Sequence, residues 1–143
     1  YLILFTLSLG ILMENYSANY SQLVMPDHIN TVGTLFGGQM LSWMDIAAAK
    51  ASFRFLKGTN AWGAVTRAID KVEFQEPVYD GEWVNFIAKV IETGNTSLKI
   101  RVDAYAENHL SDKRLACTAT ITMVSVKKDH RDNFVKCVHG KSI

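Results

Sequence analysis

The sequence predicts an α+β domain in which one long helix packs against a meander of four or five antiparallel strands. Three observations predict this class: one alanine-rich stretch without proline, four long segments rich in β-branched and aromatic residues, and short links between those segments. Short links favour antiparallel neighbours, because a parallel crossover needs a dozen or more residues. A chain of 143 residues is long enough for a single domain with a sizeable core.

The elements follow one another in a simple order. Residues 21–25 predict a short strand that Pro26 ends, and residues 26–38 form a polar, glycine-containing loop. The helix is predicted from Gln39 to about Lys57, where Gly58 follows as a C-terminal cap. Four strands are then predicted, over residues 64–74, 81–92, 96–107 and 114–126, and the tail from residue 127 shows no clear period.

The composition excludes several other classes of protein. Apolar residues make up 48% and charged residues 20% of the chain, which is typical of a globular protein and not of a disordered one. The 15 basic and 14 acidic residues are interspersed, so the charge gives no basis for nucleic-acid binding. Cys117, Cys137 and the four histidines have no metal-ligand or redox spacing, so we expect no metal and a reducing, cytoplasmic setting.

The first 19 residues form an apolar extension ahead of the predicted domain. Residues 1–12 are too few to span a bilayer as a helix, which needs ~20 residues. They also lack the basic residues that begin a signal peptide. We therefore expect no stable membrane insertion and interpret the extension as an added segment that packs against a neighbour or is left over from an upstream start. A cleaved export signal and a membrane-surface anchor are the alternatives.

Asp45 stands out because it is a lone carboxylate in the apolar helix. Helical geometry places Gln39, Lys50 and Arg54 on the opposite side of the helix. The residues within about 60° of Asp45 are mostly small, namely Gly38, Leu41, Ser42, Ala48, Ala49 and Ser52. Small neighbours permit the close approach of a strand, a partner chain or a ligand. Burying an unpaired charge is costly, so Asp45 caps a loop, pairs with a basic residue such as Arg67 or Lys71, or is functional.

Two glycines at the predicted start of the helix favour a functional role. Amides at a helix N-terminus attract negative charge, so those of Gly37 and Gly38 could hold a carbonyl oxygen that becomes an oxyanion. A tight turn would explain the glycines equally well. Asp45, seven residues after Gly38, nevertheless adds a base to the amides that would stabilise the oxygen, and this combination favours a functional role.

The helix start carries a resemblance to a known family. Its pattern N-x-x-G-x-x-F-G-G-x-x-L-x-x-M-D consists of Asn30, Gly33, Phe36, Gly37, Gly38, Leu41, Met44 and Asp45. This pattern resembles the signature of hotdog-fold acyl-CoA thioesterases, above all the bacterial YciA-type enzymes and the related cytosolic acyl-CoA hydrolases. The likeness extends through "AVTRAIDKVEFQEPVYDGEWV" and "ETGNTSLKIRVDAYAE" and covers roughly residues 20–128. Residues 1–19 and the tail, residues 129–143, lie outside it.

The resemblance implies a fold, an activity and an assembly. The fold would be a hotdog, in which a long helix is wrapped by a curved antiparallel sheet of five to six strands. The activity would be the hydrolysis of fatty acyl-CoA to free acid and CoA, with no cofactor because coenzyme A is part of the substrate. The chain would form homodimers with active sites at their interface, often assembled as a trimer of dimers, that is, a hexamer.

The resemblance also implies roles for individual residues. Asp45 would be the catalytic carboxylate, acting as general base or as nucleophile. Asn30 from the other chain would position the water or the thioester, and the amides of Gly38 and Gly37 would hold the thioester oxygen.

The same resemblance implies a place for coenzyme A. The turn formed by Gly94, Asn95, Thr96 and Ser97 would border its pantetheine and phosphate groups. Family members often carry a basic residue where this chain has Asn95, so Lys99 is a candidate phosphate contact, with a solvated strand face as its alternative.

Two other functions stay open at this point. A hotdog dehydratase or hydratase would need a His–Glu or Asp–His pair, and the predicted helix contains no histidine. A non-catalytic acyl-CoA-binding sensor would use the same pocket. We expect such a regulator to carry a DNA-binding helix pair ahead of the domain, for which the first residues are too few and too apolar.

Overall fold

The computed structural model describes residues 16–143 of the chain. Its elements are β1 (Ser17–Leu23), a 3₁₀ turn (Pro26–His28), α1 (Gly37–Phe55), β2 (Gly63–Phe74), β3 (Trp83–Thr93), β4 (Ser97–Asn108), β5 (Ser111–Lys128) and β6 (Phe134–Lys136). Most of the N-terminal extension lies outside the described residues, so its interpretation stays a prediction. Within residues 16–143, no helix combines the length and the apolar character needed to cross a bilayer.

The strands form one six-stranded antiparallel sheet. Its order is β1-β3-β4-β5-β2, and β6 pairs with the end of β5. The helix α1 contacts β1, β2, β3, β4 and β5, so the sheet wraps around it. The predicted fold class, one long helix wrapped by an antiparallel sheet of five to six strands, is confirmed. The helix begins two residues earlier and ends two residues earlier than predicted.

The core lies between the helix and the inner face of the sheet. Alternate residues of β3 and β4 point to the helix and are buried, namely Val84, Phe86, Ala88, Val90, Leu98, Ile100, Val102, Ala104 and Ala106. The helix contributes Met40, Trp43, Met44, Ala47, Ala48, Ala51, Ser52 and Phe55. Trp43 is 4% exposed and packs edge-on against Phe86, so a large aromatic residue anchors the helix to the sheet.

The basic residues of α1 lie over β1. Lys50 Nζ donates a hydrogen bond to the carbonyl of Asn19 at 2.6 Å, and Arg54 Nη1 donates one to the carbonyl of Ser17 at 3.2 Å. These contacts help to explain why β1 starts at Ser17, four residues before the predicted strand. Pairing with β3 and the two cations define this strand, and neither is visible in its local composition.

The strand β2 contains two bulges. Its pairing with β5 skips Arg67, between Thr66 and Ala68, and then places Lys71 and Val72 opposite the single residue Ala119. Bulges bend a strand and increase its twist, which helps β2 to follow the helix. Because of the first bulge, Thr66 and Ile69 both face the helix although they are three residues apart: they pair with Met123 and Ile121, whose side chains are buried.

Candidate functional site

The start of α1 presents two free amides. The carbonyl of Phe36 accepts hydrogen bonds from the amides of Gln39 (3.0 Å) and Met40 (3.1 Å). Within the described part of the chain, the amides of Gly37 and Gly38 donate to no acceptor, as expected for the first turn of a helix. Two N–H groups at the positive end of the helix dipole are therefore available to an oxygen of a ligand.

Gly38 has a steric reason to be glycine. A Cβ atom built at this position would lie 2.5 Å from a ring carbon of Phe36, closer than side chains tolerate. Phe36 is itself 57% exposed, so its ring covers the helix start from the outside. Glycine at position 38 therefore lets the Phe36 ring rest directly on the backbone beside the free amides.

Asp45 is half-buried and is held by a threonine. Thr66 Oγ1, on β2, donates a hydrogen bond of 2.5 Å to Asp45 Oδ1. Among residues 16–143, no lysine, arginine or histidine nitrogen lies within 4 Å of this carboxylate, so the alternative of an ion pair with Arg67 or Lys71 does not hold. A carboxylate that is oriented by a neutral donor and not neutralised by a cation is suited to act as a base or nucleophile.

Thr66 was not predicted from the sequence. It lies 21 residues after Asp45, and a threonine in a strand attracts no notice because strands are rich in threonine. The bulge that follows it also breaks the alternation that would have indicated which way its side chain points. The pairing of β2 with the helix is the only signal that could have revealed it.

Asp45 and Gly38 are separated along the helix. Seven residues correspond to about 10 Å of axial rise. An oxyanion donor must lie about 3 Å from the carbonyl oxygen, and a nucleophile about 3–3.5 Å from the carbonyl carbon. A carbonyl group held by Gly38 is therefore out of reach of direct attack by Asp45 of the same chain.

Asn30 stabilises its own loop. Its Oδ1 accepts hydrogen bonds from the amides of Val32 (3.0 Å) and Thr34 (3.1 Å), and its Nδ2 donates to Thr34 Oγ1 at 2.9 Å. A side-chain amide has two N–H donors, so one is left for a ligand. The structure does not bring Asn30 into contact with Asp45 within the described residues of one chain.

The turn predicted to border coenzyme A is a tight connection between β3 and β4. The amide of Gly94 donates to the carbonyl of Ser97 at 3.0 Å, and Ser97 Oγ occupies the space where a Cβ of Gly94 would lie. The carbonyl of Thr96 accepts a hydrogen bond from the amide of Ser125 at 2.7 Å. Gly94 and Asn95 line a cleft of about 280 Å³ whose other wall is the C-terminal segment.

Lys99 lies on the other side of the sheet. Its neighbours Leu98 and Ile100 are buried against the helix, so the side chain of Lys99 points outward. Its Nζ is 3.4 Å from Glu92 Oε2, and both side chains are solvent-accessible. This geometry favours the solvated strand face.

The C-terminal segment is ordered, although its sequence showed no period. The amide of His139 donates to the carbonyl of Asn95 at 3.2 Å, and its Nε2 lies 3.2 Å from the carbonyl of Ser97. Lys141 Nζ donates to the carbonyls of Phe55 (2.9 Å) and Lys57 (3.0 Å), so it caps the end of α1. The tail therefore joins the β3–β4 turn to the end of the helix.

A second cleft, of about 310 Å³, opens beside Gly37. Its lining is mainly apolar and includes Leu35, Met40, Phe74, Pro77 and Val78. It lies next to the free amides, where an apolar group attached to a bound carbonyl would be placed.

A buried ion pair fixes the loop that forms one wall of this cleft. Glu82 is 3% exposed and accepts two hydrogen bonds from Arg114, at 2.7 and 2.8 Å. Arg114 Nη2 also donates to the carbonyl of Pro77 at 2.9 Å. The hydrogen bonds from Arg114 outweigh the cost of burial and lower the pKa of Glu82 to about 2. The carboxylate is therefore charged at neutral pH and serves as a structural anchor.

Other chemistry finds little support in the described residues. No group of three histidine, cysteine, aspartate or glutamate side chains among residues 16–143 could hold a metal ion. Both cysteines are free and buried, and burial raises the pKa of the Cys117 thiol to about 11, which makes it a poor nucleophile.

Comparison with known protein families gives one match over much of the chain. A family model described as "Thioesterase superfamily" matches residues 32–113. This range contains Asp45, Thr66 and both glycines of the helix start, but not Asn30.

Individual relatives point in the same direction. Mouse "Acyl-coenzyme A thioesterase 11" is 33% identical over 73% of this chain, which spans only 17% of that protein. An "Uncharacterized acyl-CoA thioester hydrolase" of Zymomonas mobilis is 29% identical over 76% of this chain and 71% of its own length. The crystal structure of a hexameric thioesterase from Yersinia pestis superimposes with a TM-score of 0.70 at 28% identity, covering 82% of this chain and 91% of that one.

Proposed function

Because this chain belongs to the thioesterase superfamily, we propose that it hydrolyses fatty acyl-CoA to a free fatty acid and CoA. The observation that carries the proposal is the hydrogen bond between Thr66 and Asp45. Asp45 lies on a helix whose first two amides are free to bind an oxygen of the substrate. The names of the mouse and Zymomonas relatives support acyl-CoA as the substrate.

The reaction needs modest assistance, since a thioester carbonyl is already electrophilic. The amides of Gly38 and Gly37 polarise the carbonyl oxygen. Asp45 either removes a proton from a water whose oxygen then bonds to the carbonyl carbon, or attacks that carbon itself to form an anhydride that water cleaves. In both routes the C–S bond breaks, and the CoA thiolate leaves and takes up a proton. No cofactor is required.

We propose that two copies of the chain share each site. The distance of about 10 Å between Gly38 and Asp45 in one chain supports this arrangement. The hydrogen bonds of Asn30 also support it, because they hold Asn30 in its own loop and not against Asp45 of the same chain. In a symmetric dimer, a contact between Asp45 of one copy and Gly38 of the other occurs twice. The two-fold axis then passes beside Leu41 and Ser42, halfway between them along the helix, and Ser42 is both small and exposed.

The surface around this axis is suited to a subunit interface. Near this axis, α1 and the adjoining β2 leave large apolar side chains exposed, namely Ile46, Ile69 and Phe74. Exposed apolar surface is typical of interaction sites. The Yersinia structure is described as hexameric, and three such dimers would give the same number of subunits.

The remaining parts of the substrate have natural places. The apolar cleft beside Gly37 would take the acyl group, and the turn Gly94–Ser97 would border coenzyme A. The two free, buried thiols support a reducing, cytoplasmic setting, where the reaction would serve lipid metabolism.

A direct test uses purified protein, acyl-CoAs of short, medium and long chain, and a thiol reagent. We expect release of free CoA by the parent protein and a loss of at least 100-fold in kcat for Asp45→Asn, in line with general-base catalysis. Asp70→Asn is the matched control, because Asp70 is an exposed carboxylate on the outer face of β2. Binding of acyl-CoA without thiol release would instead identify a sensor.

A further inference from the structure

We propose that a cluster of Trp62, Phe134 and Lys128 at the C-terminal end of α1 binds the nucleotide end of the CoA substrate. This inference rests on the proposed function and extends it to a part of the substrate that the reacting groups do not touch. We call these three residues the Trp62 cluster. It lies at the start of β2 and the end of β5.

The Trp62 cluster combines exposed rings with a cation. Trp62 is 68% and Phe134 is 61% exposed, and their ring centroids lie 6.5 Å apart at an interplanar angle of 80°. Lys128 Nζ lies 5.2 Å from the centroid of Trp62 and 5.5 Å from that of Phe134. The backbone amide of Trp62 is bonded to the carbonyl of Val126 at 2.8 Å, so the platform is anchored to the sheet.

Such a set of groups matches a purine nucleotide. Exposed aromatic rings stack on nucleobases, and a lysine ammonium binds phosphate. Lys128 is also paired with Asp132 at 3.0 Å, whose side chain is 81% exposed. An ammonium group has three N–H donors, so Asp132 holds Lys128 over the rings and leaves donors for a phosphate.

A cleft beside Trp62 has room for the base. It measures about 180 Å³ and is also lined by Phe53 and Lys57. Lys57 Nζ lies 5.1 Å from the Phe53 ring centroid, so the cleft is also lined by a second aromatic ring with its own cation. A base placed there is in reach of aromatic rings and of a lysine in the lining of the cleft.

A track of small residues connects this cleft to Asp45. On the helix, Asp45, Ala49 and Phe53 follow one another at four-residue spacing and therefore share a face. On β2, Thr66 and Ala64 both pair with inward-facing residues of β5, and Trp62 continues the alternation. Asp45 contacts Thr66 at one end of the track and Phe53 shares a cleft with Trp62 at the other.

The length of the track suits the pantetheine arm. Eight helical residues from Asp45 to Phe53 rise about 12 Å. Four strand residues from Thr66 to Trp62 span about 13 Å. Ala49 and Ala64 lie along the track and are small, so a slim, extended chain can pass there with its thioester at Asp45 and its nucleotide at the Trp62 cluster.

The test compares two substrates that differ only in the nucleotide. For Trp62→Ala, we expect KM for acyl-CoA to rise about tenfold, as for the loss of one stacked base, while KM and kcat for the matching acyl-pantetheine stay unchanged. Trp83→Ala is the control, since Trp83 is 48% exposed on the outer face of β3. Lys128→Gln should likewise raise KM for acyl-CoA and not for acyl-pantetheine. Its control is Lys113→Gln, because Lys113 also lies over an aromatic ring, that of Tyr105.

Calorimetry makes the inference independent of turnover. Adenosine 3′,5′-bisphosphate should bind the parent protein and bind Trp62→Ala about tenfold more weakly. The inference is overturned if both substrates respond equally to Trp62→Ala, if the bisphosphate binds both proteins alike, or if the variant dissociates in light scattering, which would make the cluster a subunit contact. A parent protein that binds the bisphosphate but cleaves neither thioester would refute the proposed function alone.

Discussion

The strongest test of the shared site is complementation between two inactive variants. Asp45→Asn removes the carboxylate. Asn30→Asp keeps the oxygen that accepts the loop hydrogen bonds from Val32 and Thr34 but removes the amide donor. If Asp45 of one copy acts with Asn30 of the other, a hybrid dimer contains one intact site and one site that carries both changes.

The expected magnitude follows from counting sites. When the two variants are co-expressed in equal amounts, random pairing makes about half of the dimers hybrids, and each hybrid has one of its two sites intact. About a quarter of the wild-type kcat should therefore return. The assay is acyl-CoA hydrolysis followed with a thiol reagent, and native mass spectrometry verifies that hybrids form. If hybrids are present and their activity does not exceed that of the separate variants, the two residues act within one chain and the shared site is refuted.

Three further predictions concern single contacts. Thr66→Val should lower kcat about tenfold with little change in KM, because Asp45 loses its only orienting donor among the described residues; steady-state kinetics checks this. Lys141→Met should lower the free energy of unfolding in urea by about 1 kcal/mol, since two carbonyls at the end of α1 lose their cation. Arg114→Met should lower the free energy of unfolding in urea by about 3–5 kcal/mol at pH 7, because the buried Glu82 loses its cationic partner. The folded-state pKa of Glu82 is lowered from 4.5 to about 2, so its contribution is complete above pH 4.5 and is lost as the pH falls toward 2. Urea unfolding of Glu82→Gln should therefore differ from the parent most at pH 7 and about 1.4 kcal/mol less at pH 3.5.

The regular elements could be predicted because their signals are local. Alternation and β-branched residues defined β2 to β5 to within a few residues, and the alanine-rich stretch defined α1. The resemblance at the helix start, including Gly37, Gly38 and Asp45, likewise rests on residues close together in the chain. Such signals are readable without any knowledge of tertiary structure.

The features that escaped prediction depend on contacts between distant residues. Thr66 meets Asp45 because β2 packs beside the helix, and the bulge after Thr66 breaks the alternation that would have indicated its direction. Glu82 looks like an ordinary charged residue near the start of a strand, and its burial depends on hydrogen bonds from Asn108 and Arg114, 26 and 32 residues later. The tail gains its order from a helix end 84 to 86 residues earlier in the chain. Propensity and period carry no information about such pairs.

The unequal edges of the sheet have a consequence for solubility. An edge strand with unused backbone groups can recruit further chains without limit and so lead to aggregation. Here the Lys50 and Arg54 side chains occupy carbonyls of β1, whereas β2 ends the other side of the sheet. With carbonyls of one edge strand occupied and the other edge strand bulged, neither edge offers a regular row of backbone groups to a further chain. We expect concentrated solutions to contain discrete particles and not fibres, and substitution of both cations by alanine to increase light scattering on storage.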